Sequence, residues 1–206
     1  MEHQCTPQYS FIDSLRKYLP VTAIIFMIGF VLAGCGKGTS DAYFVREQTD
    51  LNYIQKVAVL PFSNNTNDAH AANRLRGITS TQILAMGLFD VVNTSVVDSA
   101  LQEMAVIQNA PLDTPVLRRL GQRLNVQAFV HGSVENIGRN LEGSFSYPEI
   151  SLSLQLIESE SSMILWKSTA HRHGYSIWDR LFDLDPLDGF QLSLTLIRDM
   201  LSTIPK

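Results

Sequence analysis

Cysteine is scarce in this sequence: Cys5 and Cys35 are the only two among its 206 residues. We expect Cys5 to be removed with a leader segment and Cys35 to be modified, for reasons given below. A disulfide within the mature chain is then excluded, because one thiol remains and it is blocked. The fold must be stabilised by its hydrophobic core.

Charged residues are also sparse, and their balance is slightly acidic. They make up 17% of the sequence, and the formal net charge is −4. A surface that binds nucleic acid needs clustered lysine and arginine to meet the phosphates. We therefore expect no nucleic acid among the partners of this protein.

Motifs that indicate catalysis or metal binding are missing as well. Neither a G-x-S-x-G nucleophile elbow nor a GxxxxGK[ST] phosphate loop occurs. His171 and His173 share one face of a predicted strand, where a solvated surface is favoured over a metal site because no acidic or cysteine partner is near in sequence. The aspartates between 179 and 188 fail the EF-hand spacing and favour a hydrated loop with a helix cap. We predict no catalytic residue, no metal, no cofactor and no enzyme.

The longest apolar run lies near the amino terminus and is organised like a signal peptide. Arg16 and Lys17 precede it, and the residues from 20 to 34 include Thr22 as their only polar side chain. A membrane-spanning helix needs about 20 apolar residues, so the run favours a cleaved leader, residues 1–34, over a permanent anchor. It ends in Leu32-Ala33-Gly34-Cys35, which resembles the lipobox of bacterial lipoproteins.

The lipobox implies that the Cys35 thiol receives a diacylglyceryl group and that Cys35 becomes the first mature residue. Small side chains at Ala33 and Gly34 suit the approach of a membrane peptidase. Each buried CH₂ contributes about 0.8 kcal/mol, so several palmitate-like chains would hold the protein on the membrane. Gly36 stands where enteric bacteria use aspartate to retain lipoproteins at the inner membrane. We therefore expect the periplasmic face of the outer membrane, with the outer face of the inner membrane as the alternative.

The mature chain divides into a tether and one folded domain. Residues 35–54 are polar and lack periodicity, which indicates a lipidated amino terminus and a flexible tether. Residues 55–206 are long enough for one domain with a substantial core. Hydrophobic periods predict strands near 57–60, 89–92, 126–137, 150–156 and 163–173, and helices near 69–86, 95–104, 114–124 and 189–204. This order predicts an α/β fold: a mixed sheet of about five strands with helices packed on it, ending in a β-hairpin and a carboxyl-terminal helix.

Local signals mark the ends and faces of the helices. Asn67 or Asp68 is expected to cap the first helix, Gly87 to follow its end, and Asp188 to cap the last one. The last helix is expected to bury one apolar stripe, formed by Phe190, Leu194, Ile197, Leu201 and Ile204.

Three segments resemble the CsgG/LpoB-like family of periplasmic lipoproteins. They are Val57–Phe62 followed by Asn65-Thr66, Phe129–Val134, and the hairpin from Ile150 through Trp166. The resemblance covers most of residues 55–204, although Glu160-Ser161-Ser162 replaces the Thr-Gly that the family often has at the hairpin turn. It implies a lipoprotein that binds other envelope proteins, and homo-oligomers by analogy.

The resemblance does not extend to a pore. Channel members of the family insert long transmembrane hairpins, and a spanning strand needs about 9 to 11 residues. The gaps at 138–148 and 174–187 are too short for two such strands each. We predict that this protein forms no pore.

A non-enzymatic role in envelope assembly or regulation is the leading hypothesis. A lipopolysaccharide-assembly lipoprotein similar to LptE is the first alternative, since it shares the lipobox, the Asn-Thr pair and a hairpin ending in Leu-Trp. An enzyme whose site the motifs miss is the second. The aromatic and apolar residues concentrated after the hairpin predict either a plug that completes the core or a partner-binding surface; they are Tyr175, Trp178, Leu181 and Phe182.

Overall fold

The computed structural model describes residues 40–47, 50–106, 113–142, 145–175 and 187–205. The lipobox and Cys35 lie outside these ranges, as do Trp178, Leu181 and Phe182 of the predicted partner surface. Within the described ranges, no helix has the length and apolar character needed to cross a bilayer.

Seven strands form one mixed sheet, which confirms the predicted fold class. In spatial order they run β1-β7-β6-β5-β2-β4, and β3 pairs with β5. Neighbouring strands are antiparallel from β1 through β7 and β6 to β5, whereas β2 is parallel to both β4 and β5. Their bounds are Ser40–Val45 (β1), Lys56–Val59 (β2), Ser63–Asn64 (β3), Asp90–Val92 (β4), Ala128–Glu142 (β5), Phe145–Glu158 (β6) and Ile164–His173 (β7).

All four predicted helices are present, and most of their ends follow the predicted signals. They are α1 (Ala71–Ala85), α2 (Thr94–Glu103), α3 (Thr114–Leu124) and α4 (Gly189–Leu201). Gly87 has φ +61° after α1, and Asp188 Oδ1 accepts a hydrogen bond of 2.8 Å from the Gln191 amide at the start of α4. The predicted cap of α1 is wrong: His70 holds that position, and Asp68 instead accepts from the His70 amide at 2.9 Å.

The helices cover the sheet on both faces around β2. Val57 and Val59 belong to the core under α1 and α4, while Ala58 and Leu60 belong to the core under α2 and α3. A strand buried on both faces needs a continuous apolar run, which is what Val57 to Leu60 provides. Because the two helical layers stop at different strands, one face of the sheet is left partly uncovered.

Part of the predicted tether is folded, which corrects its boundary. Residues 40–45 form β1 at the edge of the sheet, paired with β7. A short 3₁₀ helix, Leu51–Tyr53, follows, and Ile54 caps its end. Leu51 and Ile54 are both buried in the core. Sequence periodicity missed β1 because its six residues do not alternate between apolar and polar.

The predicted gap at 138–148 is also strand. β5 and β6 stay paired as far as Glu142 and Phe145, so the hairpin extends beyond the end of β7 by four residues on each strand. The extension is shorter than the 9 to 11 residues of a membrane-spanning strand. The absence of a pore stays a prediction.

The buried face of α4 is rotated from the predicted stripe. Phe190 is 62% exposed and Leu194 is half-buried, whereas Ile197, Leu201 and Ile204 are buried as predicted. The core side is completed by Leu192, Leu196 and Met200. Because α4 packs against α1, β6 and β7 together, its buried stripe is wider than a single helical row.

Candidate partner-binding face

Strands β5, β6 and β7 present a polar surface on the side of the sheet opposite α1 and α4. Along β6, Ser151, Ser153 and Gln155 alternate with fully buried leucines, which confirms the predicted strand with one wet face. Helices α2 and α3 lie on the same side but pack over β2 and Phe129 of β5. We call the uncovered area the polar face; it comprises His131, Ser133, Ser151, Ser153, Gln155, Lys167, Thr169 and His171.

The side chains of the polar face are joined across the strands by hydrogen bonds. Ser151 Oγ lies 2.7 Å from His171 Nδ1, and Ser153 Oγ lies 2.9 Å from Thr169 Oγ1. Each pair is directly opposite in the β6–β7 register. Cross-strand pairs of this kind fix rotamers, so the surface is already ordered before any partner arrives.

The edge of the polar face near β3 carries a fixed carboxylate. Glu135 accepts hydrogen bonds from Ser133 Oγ at 2.6 Å and from Asn65 Nδ2 at 2.8 Å. These two bonds, that from Ser133 first, hold the pKa of Glu135 below its usual value. Asn65, part of the Asn-Thr pair in the resemblance, also donates its backbone amide to the Val134 carbonyl at 2.9 Å. It therefore positions both the strand and the carboxylate.

The end of the polar face beyond Ser151 is aromatic. Tyr147 and Tyr175 stack with centroids 5.5 Å apart and planes at 10°, and His173 lies 6.0 Å from Tyr147. Tyr175 is the one described member of the predicted partner surface, and the structure brings it to the polar face. Sequence reasoning missed Tyr147, because it lies in the stretch predicted to be irregular.

One series of contacts has the order of a hydrolytic triad: Ser151, His171 and Glu149. The backbone around these residues does not suit catalysis. His171 Nε2 lies 3.5 Å from Glu149 Oε1, on the far side of the ring from Ser151. An oxyanion hole needs backbone amides that point at the reacting carbonyl. β6 is paired on both sides, so the amides around Ser151 are used in the sheet. We interpret the three residues as a binding surface.

The structure places no metal centre among the residues it describes. No group of three or more histidine, cysteine, aspartate or glutamate side chains comes together there. His171 and His173 are neighbours, with ring centroids 6.1 Å apart, and both belong to the aromatic end of the sheet. Asp188, the described member of the aspartate series, serves as the α4 cap.

Two residues of the resemblance build the core and not the site. An added Cβ at Gly132 would lie 2.6 Å from Phe62 Cε2, so the glycine lets the ring pack onto β5. Trp166 is fully buried, and its indole Nε1 donates to Thr203 Oγ1 at 2.9 Å. Gly132 and Trp166 therefore stabilise the fold, and the polar face lies on the other side of the sheet.

Comparisons with known proteins find one family model and several solved structures that are similar to this chain. A family model described as peptidoglycan-synthase activator LpoB matches residues 39–171. The PelC dodecamer from Paraburkholderia phytofirmans is 17% identical, covers 80% of this chain and 95% of its own, and has a TM-score of 0.55. Lipoprotein GNA1162 from Neisseria meningitidis is 16% identical over 73% of this chain and 99% of its own, with a TM-score of 0.49. The LpoB carboxyl-terminal domain from Salmonella enterica is 17% identical over 57% and 82%, with a TM-score of 0.44. No curated protein matches the sequence.

Proposed function

The chain belongs to the LpoB family of peptidoglycan-synthase activators, and on this basis we propose that it binds and regulates a peptidoglycan synthase at the cell envelope without being an enzyme itself. The observation that carries the proposal is the extent of the family match, residues 39–171. That range includes β1, β5, β6 and nearly all of β7, and with them the whole polar face. The family match does not extend to the CsgG relation or to the LptE-like alternative, and both stay predictions.

The polar face is the surface that we assign to the synthase. It offers hydroxyl, amide and imidazole groups and carries few charges, and hydrogen bonds hold it in place. The partly exposed rings of Tyr147 and Tyr175 add apolar area beside these polar groups, and tyrosines are enriched at protein interfaces. An ordered polar surface beside an aromatic anchor suits a reversible, specific complex, which is what a regulatory protein requires.

Lipid on Cys35 would hold this face near a membrane. Strand β1 begins at Ser40, so four residues lie between Cys35 and β1, and these five steps along the chain span at most about 18 Å. We place the anchor in the outer membrane, facing the periplasm, as the lipobox and Gly36 suggest. The synthase would then have to meet the polar face close to that bilayer.

Capture from intact cells tests the proposal. The full-length lipoprotein is crosslinked in growing cells with a short reagent and purified under denaturing conditions, and the attached proteins are identified by mass spectrometry. We expect a peptidoglycan synthase among them, and we expect it to be depleted from a parallel sample in which the polar face carries Ser153→Arg. Recovery of other envelope proteins with no synthase, across several growth conditions, would contradict the proposal.

A further inference from the structure

β1 is an edge strand without the features that normally protect an edge. It pairs with β7 on one side and has no strand on its other side in the described part of the chain. Protected edges are very short, bulged, or marked by lysine or proline. β1 has six residues in regular register, Asp41 as its single charge, and exposed aromatic rings at Tyr43 (64%) and Phe44 (49%). Such an edge is a template for another strand.

The backbone groups on the outer side of β1 can be identified from its pairing with β7. The Arg46 amide donates to the Leu165 carbonyl at 2.9 Å, which directs the backbone of Arg46 towards β7. In an antiparallel ladder the direction alternates from one residue to the next. The N–H and C=O groups of Asp41, Tyr43 and Val45 therefore point away from the sheet. They form three evenly spaced donor and acceptor pairs.

We propose that β1 pairs antiparallel with β1 of a second copy of this chain, about a two-fold axis at Tyr43. In this register Tyr43 faces the partner's Tyr43, and Asp41 faces the partner's Val45. All three outward pairs are then used, which makes six hydrogen bonds. Sliding the register by two residues in either direction leaves four of them. The strand is therefore complementary to itself in one alignment.

The side chains support the same register. Phe44 would lie opposite the partner's Ala42, a large residue against a small one, on the side of the polar face. Asp41 would lie opposite an uncharged residue, and its carboxylate is already 2.7 Å from the Arg172 guanidinium. No like charges face each other across the axis.

The pairing of two copies would enlarge the surface that we assign to the synthase. Residues opposite each other in an antiparallel pair point to the same face of a sheet, so the two polar faces would lie side by side. Six residues on each side are fewer than the 20 to 30 of a standard interface, and we expect dissociation in the micromolar range. This inference concerns contact between copies and does not depend on the synthase.

Disulfide trapping tests the register directly. Single variants Tyr43→Cys, Ala42→Cys and Phe44→Cys are made in the full chain carrying Cys5→Ser, and the parent without an added cysteine measures background from Cys35. Hydrogen-bonded pairs have Cα atoms about 5.5 Å apart, within disulfide range, whereas diagonal neighbours lie about 7 to 8 Å apart. We expect a crosslinked dimer from Tyr43→Cys alone, and from Ala42→Cys mixed with Phe44→Cys. No dimer above the parent from Tyr43→Cys, or equal yields from all three single variants, would overturn the proposal.

The mass of the unmodified full chain in detergent provides a second measurement. Light scattering should show a concentration-dependent dimer, and Tyr43→Lys should raise its dissociation constant at least tenfold by placing like charges at the axis. Leu141→Lys is the matched control, since Leu141 is 74% exposed at the far end of β5 and should leave the dimer intact. A monomer at several hundred micromolar, or assemblies larger than a dimer that Tyr43→Lys leaves unchanged, would refute pairing through β1.

Discussion

Replacing Gly132 with alanine places a methyl group where the ring of Phe62 now packs. The added Cβ would lie 2.6, 2.7 and 2.8 Å from three carbons of that ring, well inside van der Waals contact. Phe62 is only 5% exposed and belongs to the core under α1 and α4, so its ring has little room to withdraw. The substitution therefore forces either the ring or strand β5 to shift.

The size of the effect follows from two opposing contributions. Overpacking a well-packed core costs about 1 to 3 kcal/mol. Loss of glycine flexibility in the unfolded chain returns about 0.4 to 1 kcal/mol. We expect a net destabilisation of about 1 to 2 kcal/mol, which corresponds to a fall in Tm of about 2 to 8 °C for a domain of this size.

Gly138→Ala is the matched control, since it lies on the same strand and its Cβ would meet nothing within 4 Å. Thermal unfolding of the full chain, followed by circular dichroism, should show a lower Tm for Gly132→Ala and an unchanged or slightly higher Tm for Gly138→Ala. Combining Phe62→Leu with Gly132→Ala should cost less than the two single changes added together. Equal Tm values for Gly132→Ala and the parent, or equal losses at both glycines, would refute the packing described for Phe62.

Three further outcomes are expected. Arg76→Met should lower stability by about 2 to 4 kcal/mol in denaturant unfolding, because the buried guanidinium donates to the Val59 carbonyl at 2.8 and 3.0 Å and to Asp98 Oδ2 at 3.0 Å. Arg76→Lys should recover part of the loss, and a loss below about 0.5 kcal/mol would contradict this role. Burial lowers the pKa of His131 below its usual value, so the unfolded chain binds the proton more readily than the folded one. Stability should therefore fall as the pH drops below about 6.5. His131→Gln should flatten the dependence of Tm on pH in this range, and an unchanged slope would contradict the role of His131. Cys35→Ser should remove the acyl mass from the purified chain, as measured by mass spectrometry; a parent chain without acyl mass, or an unchanged mass in the variant apart from the substitution, would contradict the lipid anchor.

The sequence predicted the parts of the fold that depend on simple periodicity. The apolar run from Val57 to Leu60 is a central strand because both faces are covered, and the alternation from Ile150 to Leu156 marks a strand covered on one face. Gly87 has the positive φ expected after a helix, and Asn125, the residue after α3, has one as well. Such signals are local, and residues within a few positions of each other determine them.

The missed features depend on partners that are distant in the chain. β1 is held by pairing with β7, about 130 residues later, and its own six residues carry no alternating pattern. The outer part of the β5–β6 hairpin has one apolar residue, Leu141, on β5 and a proline, Pro148, on β6, so its sequence does not distinguish strand from loop. Tyr147 joined the candidate site for the same reason, since its stacking on Tyr175 requires that hairpin to be in place.

The affinity of the purified full-length protein for the captured peptidoglycan synthase tests the central assignment most directly. Ser153→Arg puts a charge in the middle of the polar face. Thr195→Arg makes a matched change on the exposed face of α4, which lies on the opposite side of the sheet. We expect Ser153→Arg to raise Kd at least tenfold with Tm unchanged, and Thr195→Arg to leave Kd within a factor of two. Equal Kd values for Ser153→Arg and the parent, or a greater loss from Thr195→Arg, would contradict binding through the polar face.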